Sequence, residues 1–220
     1  MSPQAVLAPA PPAAPSLPPF NAPAYSAPKV SVQQYLDMER ESEMRHEYVR
    51  GEIIEMAGET PDHNFVAGNM YLDFRLTLPQ RTCKVYFEGV RLRVSPEQYR
   101  YPDVMALCGE PEFDNENPPC LLNPSVLAEV LSPSTQTIDR GDKIAEYRAI
   151  PTLTDYVIVA QDRIFVEHYV RQNSGQWMRT EYSQLDEALV FAGLGVTMTL
   201  RQIYRETPLA DAAERSITSA

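Results

Sequence analysis

The stretch Leu127–Tyr147, LAEVLSPSTQTIDRGDKIAEY, decides how the rest of the chain is read. Together with Ser125 and Val126 ahead of it, its first part is an apolar run ending at Leu131. The run has the length and β-branched content of a buried strand, yet Glu129 stands in its middle. A carboxylate in such a strand costs free energy unless something binds it. Ser132-Pro133-Ser134 breaks the strand. A helical pattern follows from about residue 139 to 149, stopped by Pro151, with Lys143 and Tyr147 on one face. Ile144, Tyr147 and Ile150 form its inward stripe, and Lys143 can run its stem along that stripe towards the acids. Upstream, Tyr101-Pro102-Asp103-Val104-Met105-Ala106-Leu107 repeats the anomaly, with an acid at the start of an apolar run. Pro102 has no N–H for a ladder, so it belongs at the beginning of the strand and leaves Asp103 near a mouth. If the two strands are neighbours in register, their acids project from one face.

Two acids on apolar strands with a lysine nearby point to a metal site. Hydrolysis of a phosphodiester uses a hard divalent cation held by carboxylate oxygens, with positions open to substrate and water and a cationic group to steady the nucleophile. Asp103, Glu129 and Lys143 supply those parts. The competing structural reading pairs both acids with arginines such as Arg91 or Arg148.

A wider set of residues runs in the order of a known family: Arg45-His46-Glu47-Tyr48-Val49-Arg50-Gly51-Glu52-Ile53, His63-Asn64, Tyr101-Pro102-Asp103-Val104, and Glu129-Val130-Leu131-Ser132-Pro133-Ser134-Thr135 with Asp139, Lys143 and Tyr147. Over roughly residues 30–205 the chain resembles the PD-(D/E)XK nuclease superfamily and, within it, the Uma-type restriction-endonuclease-like proteins of bacteria. The resemblance implies an α/β fold, a restriction-endonuclease-like mixed β-sheet flanked by helices with an added hairpin or meander. It implies a Mg²⁺- or Mn²⁺-dependent endonuclease, a hydrolase acting on nucleic acid, with DNA the expected polymer. Asp103 and Glu129 would ligate the metal, with the Val130 carbonyl as a further ligand, and Glu47 would assist nearby. In the superfamily pattern the lysine stands two residues after the second acid, where this chain has Leu131; the Uma-type pattern implies that Lys143 takes the role from the following helix.

Composition narrows the partners. The 220 residues carry a formal net charge of −11, the wrong sign for tight binding of DNA through a broad basic face. A local groove, a transient encounter or a charge-neutralising metal stays compatible with it. Two other classes fit the same residues: a noncatalytic binding or regulatory module on the nuclease fold, and a metal-dependent hydrolase of a small phosphoester. A homodimer would supply two active sites for two strands. Cys83, Cys108 and Cys120 are odd in number and lack CxxC spacing, so neither a disulfide framework nor a zinc site is expected, and a reducing cytoplasm fits.

The expected organisation is a Pro/Ala-rich, disordered tail over 1–29, one domain over 30–207, and a frayed, polar end over 208–220. The tail has no charged side chain before Lys29, and its prolines break any signal-peptide core; no later apolar run is long enough to cross a bilayer. Ser31 and Gln34 form a capping box for a helix through about Arg40, and Tyr48–Ile54 reads as a hairpin turning at Gly51. Glu47 at the start of that hairpin reads equally as a solvated edge acid. Thr60-Pro61 caps a long helix to Leu78, with Val66, Met70, Phe74 and Leu78 at four-residue spacing and Phe65, Leu72 and Leu76 widening the apolar face. His63 and Asn64 fall in its first turn, where N–H groups favour a phosphate; a histidine merely starting a helix is the plainer alternative. In Val90–Val94, Arg91 and Arg93 share one face, and Arg91 is a phosphate-binding candidate or the partner of one of the many acids. Gln161, after the strand Asp155–Ala160, would border the site. The strands continue as a meander, and Leu189-Val190-Phe191 and Thr199–Tyr204 make a last strand and a short helix.

Overall fold

The computed structural model describes residues 29–56, 58–131 and 141–218. A six-stranded sheet, ordered β10-β9-β8-β7-β6-β3, carries the fold. Its strands are β3 (Cys83–Phe87), β6 (Val104–Cys108), β7 (Val126–Leu131), β8 (Asp155–Ala160), β9 (Val166–Arg171) and β10 (Trp177–Tyr182). Only β7 and β8 run parallel, so the chain between them must cross over, and helix α3 (Asp142–Arg148) lies on that crossover. Both β7 and β8 are buried along their whole length because both faces of the sheet are covered.

Alternation along the strands divides the core. Val104, Ala106, Ala128, Val130, Val157 and Val159 meet Val66, Met70 and Phe74 of helix α2 (Pro61–Thr77). Met105, Leu107, Leu127, Leu131, Tyr156 and Ile158 meet Tyr147 and Ile150 of the α3 segment. Complete burial of a side chain such as Met70 or Phe74 contributes about 1.5–3 kcal/mol. Within α2, the four-residue row of Val66, Met70, Phe74 and Leu78 faces the sheet, whereas Phe65, Leu72 and Leu76 are exposed on the other side. The expected widening of the apolar face is therefore corrected: buried Ala67, Asn69 and Asp73 complete it instead. Asn69 and Asp73 are held by the far end of the chain, through the Ile203 and Arg205 carbonyls and the Arg205 guanidinium.

A second, antiparallel sheet is ordered β2-β1-β5-β4, from β1 (His46–Val49), β2 (Glu52–Glu55), β4 (Leu92–Ser95) and β5 (Gln98–Arg100). The β1–β2 turn, Arg50-Gly51, has φ of 48° and 98°, the paired left-handed conformation of a tight two-residue hairpin. A side chain at position 51 would also strike Lys29. Leu92 joins the core on the α3 side of the large sheet, while Tyr48 and Tyr99 pack with Tyr35 and Leu36 of helix α1 (Val32–Glu41), whose capping box Ser31–Gln34 is formed. The strand β5, invisible in the sequence reading, pairs with both β1 and β4.

The hairpin β11 (Ala188–Phe191) and β12 (Val196–Thr199), with helix α4 (Leu200–Ile203), covers the α2 side of the core. Beyond residue 207 the frayed end gives way to helix α5 (Pro208–Thr218). Ala210 is buried and Leu209 packs against the same cluster, while Thr207 Oγ1 accepts from the Ala210 N–H at the helix start. The cysteine reading is corrected as well. Cys83 and Cys108 are register partners across β3 and β6 and form a disulfide, so the cysteines no longer argue for a reducing compartment. Cys120 is free and buried. Residues 1–28 of the expected 1–29 tail, the Ser132-Pro133-Ser134 break and Asp139 lie outside the described residues. Among the described residues no helix is long and apolar enough to cross a membrane.

Candidate active site

The candidate residues converge at the carboxyl ends of the parallel pair β7–β8, the end of such a sheet where ligands tend to bind. The β6–β7 ladder pairs Val104 with Ala128, which puts Asp103, one residue before β6, across from Glu129. Both belong to the face that carries Met105, Leu127 and Leu131. The ladder ends there because a side chain takes over: Asp103 Oδ2 accepts from the Val130 N–H at 2.6 Å. Asp103 is 6 % exposed and Glu129 4 %, and Asp103 lines an open cleft of about 550 Å³ with Met44, Arg45, Met56, Glu59 and Glu88.

Lys143 reaches this end of the sheet from α3. Its Nζ stands 3.0 Å from Glu129 Oε1 and 3.3 Å from Glu47 Oε1, and the three side chains are buried. Tyr147, one turn later, donates its hydroxyl to Glu129 Oε1 at 2.7 Å. Burial at the foot of α3 and the carboxylate beside it hold the Tyr147 phenol well above its usual range. One turn of α3 thus delivers a cation and a neutral donor to a single carboxylate.

Glu47, from β1, is not a solvated edge acid. Burial pushes its carboxyl up, but Lys143 and Arg100 outweigh that and hold it below the usual range. Arg100, at the end of β5, is one of the residues that the sequence reading missed, with Glu59, Glu88 and Glu146. It donates from Nη1 to Glu47 at 2.7 Å and from Nε and Nη2 to Glu146 of α3 at 2.9 and 3.0 Å, a two-pronged grip. The sequence carried a signal for β5, the two-residue turn Pro96-Glu97 between alternating segments, but none for the partners of Arg100.

On the other side of Asp103 stands His63, turned inward by the first turn of α2, where Thr60 Oγ1 accepts from the His63 N–H and Pro61 starts the helix. Its Nε2 is 3.3 Å from Asp103 Oδ2 and its Nδ1 3.2 Å from Glu59 Oε2. Burial pulls the imidazole pKa down, but the two carboxylates prevail and it is pushed up to about 10. The His63 contact lowers the Glu59 carboxyl; burial and then the neighbouring Glu59 and Asp103 raise that of Glu88. Glu88 and Gly89, both at positive φ, carry the Glu88 side chain to the cleft, where Asn64 Nδ2 reaches it at 3.4 Å. Gln161 follows β8 and is tied to Thr60 through a hydrogen bond between their side chains.

Arg91 does not join this group, which corrects its reading as a phosphate ligand. It is 2 % exposed, donates to Cys120 Sγ and to the Pro118 carbonyl, and lies over the Tyr35 and Tyr99 rings. Nor does Arg148 serve the acids; it stacks on Tyr169 and Trp177.

The donors present suit a hard cation. Asp103 and Glu129 face each other in the β6–β7 register, with Asp103 at the open cleft, and Glu47, Glu59, Glu88 and Glu146 stand nearby with Lys143, Arg100 and His63 among them. Carboxylate and carbonyl oxygens are the ligands that Mg²⁺ and Mn²⁺ take.

Comparison with known proteins gives the fold and the family. A solved chain from Anabaena variabilis, described as a "putative nuclease belonging to DUF820", superposes with a TM-score of 0.65 over 80 % of this chain and 97 % of its own length, at 15 % identity; the two share a fold. Two uncharacterized proteins of Synechocystis sp. are similar in sequence. The protein sll1609 is 35 % identical over 69 % of this chain and 86 % of its own, and slr1290 is 29 % identical over 84 % and 96 %. The model of the Uma2 family, described as "Putative restriction endonuclease", matches residues 32–201, and the chain belongs to that family.

Proposed function

We propose that this protein is a divalent-metal-dependent endonuclease that hydrolyses phosphodiester bonds of nucleic acid, with DNA as its polymer. The observation that carries the reading is the buried Glu129–Lys143–Glu47 array standing across the sheet register from Asp103 at the mouth of a cleft. The family's description and the nuclease fold of the Anabaena variabilis chain point the same way. In this reading Asp103, Glu129 and the Val130 carbonyl hold Mg²⁺ or Mn²⁺. When bound, such an ion polarises the phosphoryl oxygens and lowers the pKa of its water.

The chain's own residues do the rest. Lys143, held between Glu129 and Glu47, keeps an ammonium beside the metal ligand, where it orients the attacking water and offsets charge that develops on the phosphorane. Tyr147 fixes which Glu129 oxygen faces Lys143, and Arg100 keeps Glu47 charged and in place. His63 and Asn64, in the first turn of α2, and Gln161, bonded to its cap Thr60, would contact the substrate. A two-fold pair of chains would bring the two sites that cutting both strands of a duplex requires.

The test is cleavage of supercoiled plasmid, single-stranded DNA, RNA and a small phosphodiester with Mg²⁺ or Mn²⁺, comparing the wild type with Lys143→Ala and Asp103→Ala. Lys143→Ala is expected to lower the rate about 10²–10³-fold, the usual cost of removing one electrostatic stabiliser. Asp103→Ala is expected to abolish cleavage. Wild-type rates in both variants, or cleavage of the small ester alone, would remove the endonuclease reading.

A further inference from the structure

Asp103 belongs to two groups of side chains, and the second is not needed for the reading above. Glu59, His63 and Asp103 each offer a donor atom, and those atoms lie within 4.8 Å of one another. We infer that His63 Nε2 and Asp103 Oδ2, with Glu59 holding the imidazole from its Nδ1 side, form a second cation site, one for an imidazole-binding transition metal such as Co²⁺ or Zn²⁺, which adjoins the Asp103–Glu129 position and shares Asp103 with it. The inference does not rest on the nuclease reading.

The geometry is that of a ligand set. Two donors bonded to one ion at about 2.0–2.2 Å, with bond angles of about 90–110°, stand roughly 2.8–3.6 Å apart. His63 Nε2 and Asp103 Oδ2 are 3.3 Å apart, and Asp103 is pinned in that place by the Val130 N–H. Across the ring, Nδ1 is buried without a hydrogen bond of good geometry, although Glu59 Oε2 is 3.2 Å away. A buried ring nitrogen with a carboxylate alongside is the arrangement by which histidine ligands are oriented, the carboxylate fixing the tautomer so that the opposite nitrogen meets the metal. His63 is 5 % exposed and its backbone is fixed by the Thr60 cap, so little side-chain freedom remains to be lost on binding. The ion has a way in, because Glu59, Glu88 and Asp103 all line the open cleft.

The ligand types decide the metal. An imidazole nitrogen beside a carboxylate oxygen suits Co²⁺ or Zn²⁺, whereas Mg²⁺ prefers an all-oxygen octahedron and dehydrates reluctantly. On binding, the ion replaces the proton on Nε2, which leaves to solvent, and Glu59 keeps its place against Nδ1.

The experiment is a Co²⁺ titration of the full chain in excess Mg²⁺, read by NMR as hyperfine-shifted imidazole resonances and by visible absorption. Wild type is expected to show one shifted imidazole, absent in His63→Gln. Glu59→Gln, which leaves the histidine in place, is expected to bind Co²⁺ about 10–100-fold more weakly. Glu129→Gln keeps the shifted resonance, so loss of the oxygen-only position and loss of this one are told apart. A wild type without a shifted imidazole, a resonance that survives in His63→Gln, or an unchanged affinity in Glu59→Gln overturns the inference. Whether the protein cuts nucleic acid is decided separately by the cleavage comparison.

Discussion

Arg100→Met is the perturbation that most directly tests how the site is held. Arg100 is 1 % exposed, and its side chain makes three hydrogen bonds, one to Glu47 at 2.7 Å and two to Glu146 at 2.9 and 3.0 Å. Methionine fills much of the same volume, so the packing loss is small and the electrostatic loss dominates. Two carboxylates, 6 % and 9 % exposed, are left with Lys143 as the cation shown near one of them. Removing one partner of a buried ion pair costs about 3–5 kcal/mol, because an uncompensated charge stays behind. For a domain of this size that lowers the thermal midpoint by roughly 6–20 °C. Urea unfolding followed by the fluorescence of Trp177, the single tryptophan, measures it. The double variant Arg100→Met/Glu146→Gln should recover part of the loss, since it removes one of the stranded charges. A cost under about 1 kcal/mol, the range of exposed ion pairs, would refute the claim that Arg100 helps Lys143 keep Glu47 charged beneath the site.

Other perturbations follow from the same contacts. Tyr147→Phe removes a buried hydrogen bond to a carboxylate and should cost about 1.5–3 kcal/mol in the same unfolding assay; no change would mean that Glu129 does not depend on it. His63 has a folded pKa raised to about 10, so its contribution is fully present below its ordinary value of 6.5 and is lost as pH climbs through about 10. Stability measured from pH 6 to 10 should fall more steeply in wild type than in His63→Gln. The sign is opposite for Glu47: its carboxyl is held below the ordinary 4.5, so its contribution is present above that value and is lost as pH falls below it, and Glu47→Gln should flatten the acid limb of the unfolding curve. Reduction of Cys83–Cys108 opens a loop spanning 25 residues and should cost about 3–4 kcal/mol, provided that the oxidised protein is the starting material; equal stability before and after dithiothreitol would contradict it.

What the sequence disclosed was local. The Ser31–Gln34 box, the Thr60-Pro61 helix start and the Gly51 turn each place their whole signal within four residues, and each forms. The same chemistry was overlooked at Thr207-Pro208, where alanines and charges disguised a helix whose packing residues are Leu209, Ala210 and Ala213. Apolar periodicity found the buried row of α2 but could not tell which other apolar side chains lay outside it, because Phe65, Leu72 and Leu76 repeat at the same spacings. The disulfide was out of reach for a different reason. It depends on the β3–β6 register, and no count or spacing of cysteines states which strands lie side by side. Arg100 is another such case, with partners 53 and 46 residues distant in the chain.

Those long separations also explain why the site sits where the two sheets meet. Glu47 and Arg100 come from the small sheet, Glu129 from the large one, and Lys143 from the crossover between β7 and β8. Between Arg100, which ends β5, and Val104, which starts β6, only Tyr101, Pro102 and Asp103 connect the sheets. Tyr101 is fixed within that link: its hydroxyl donates to Glu39 at 2.8 Å, and its N–H lies 3.4 Å from Glu47. The Asp103 carboxylate and the Arg100 guanidinium are therefore separated by a short, braced segment with little freedom of its own. A shift of the small sheet would carry Arg100 and Glu47 together away from Lys143, leaving Glu129 as the partner that the large sheet supplies. The lysine is then positioned by both sheets at once, which makes the small sheet part of the site and explains why a motif confined to β6 and β7 accounts for its acids but not for the placement of its cation.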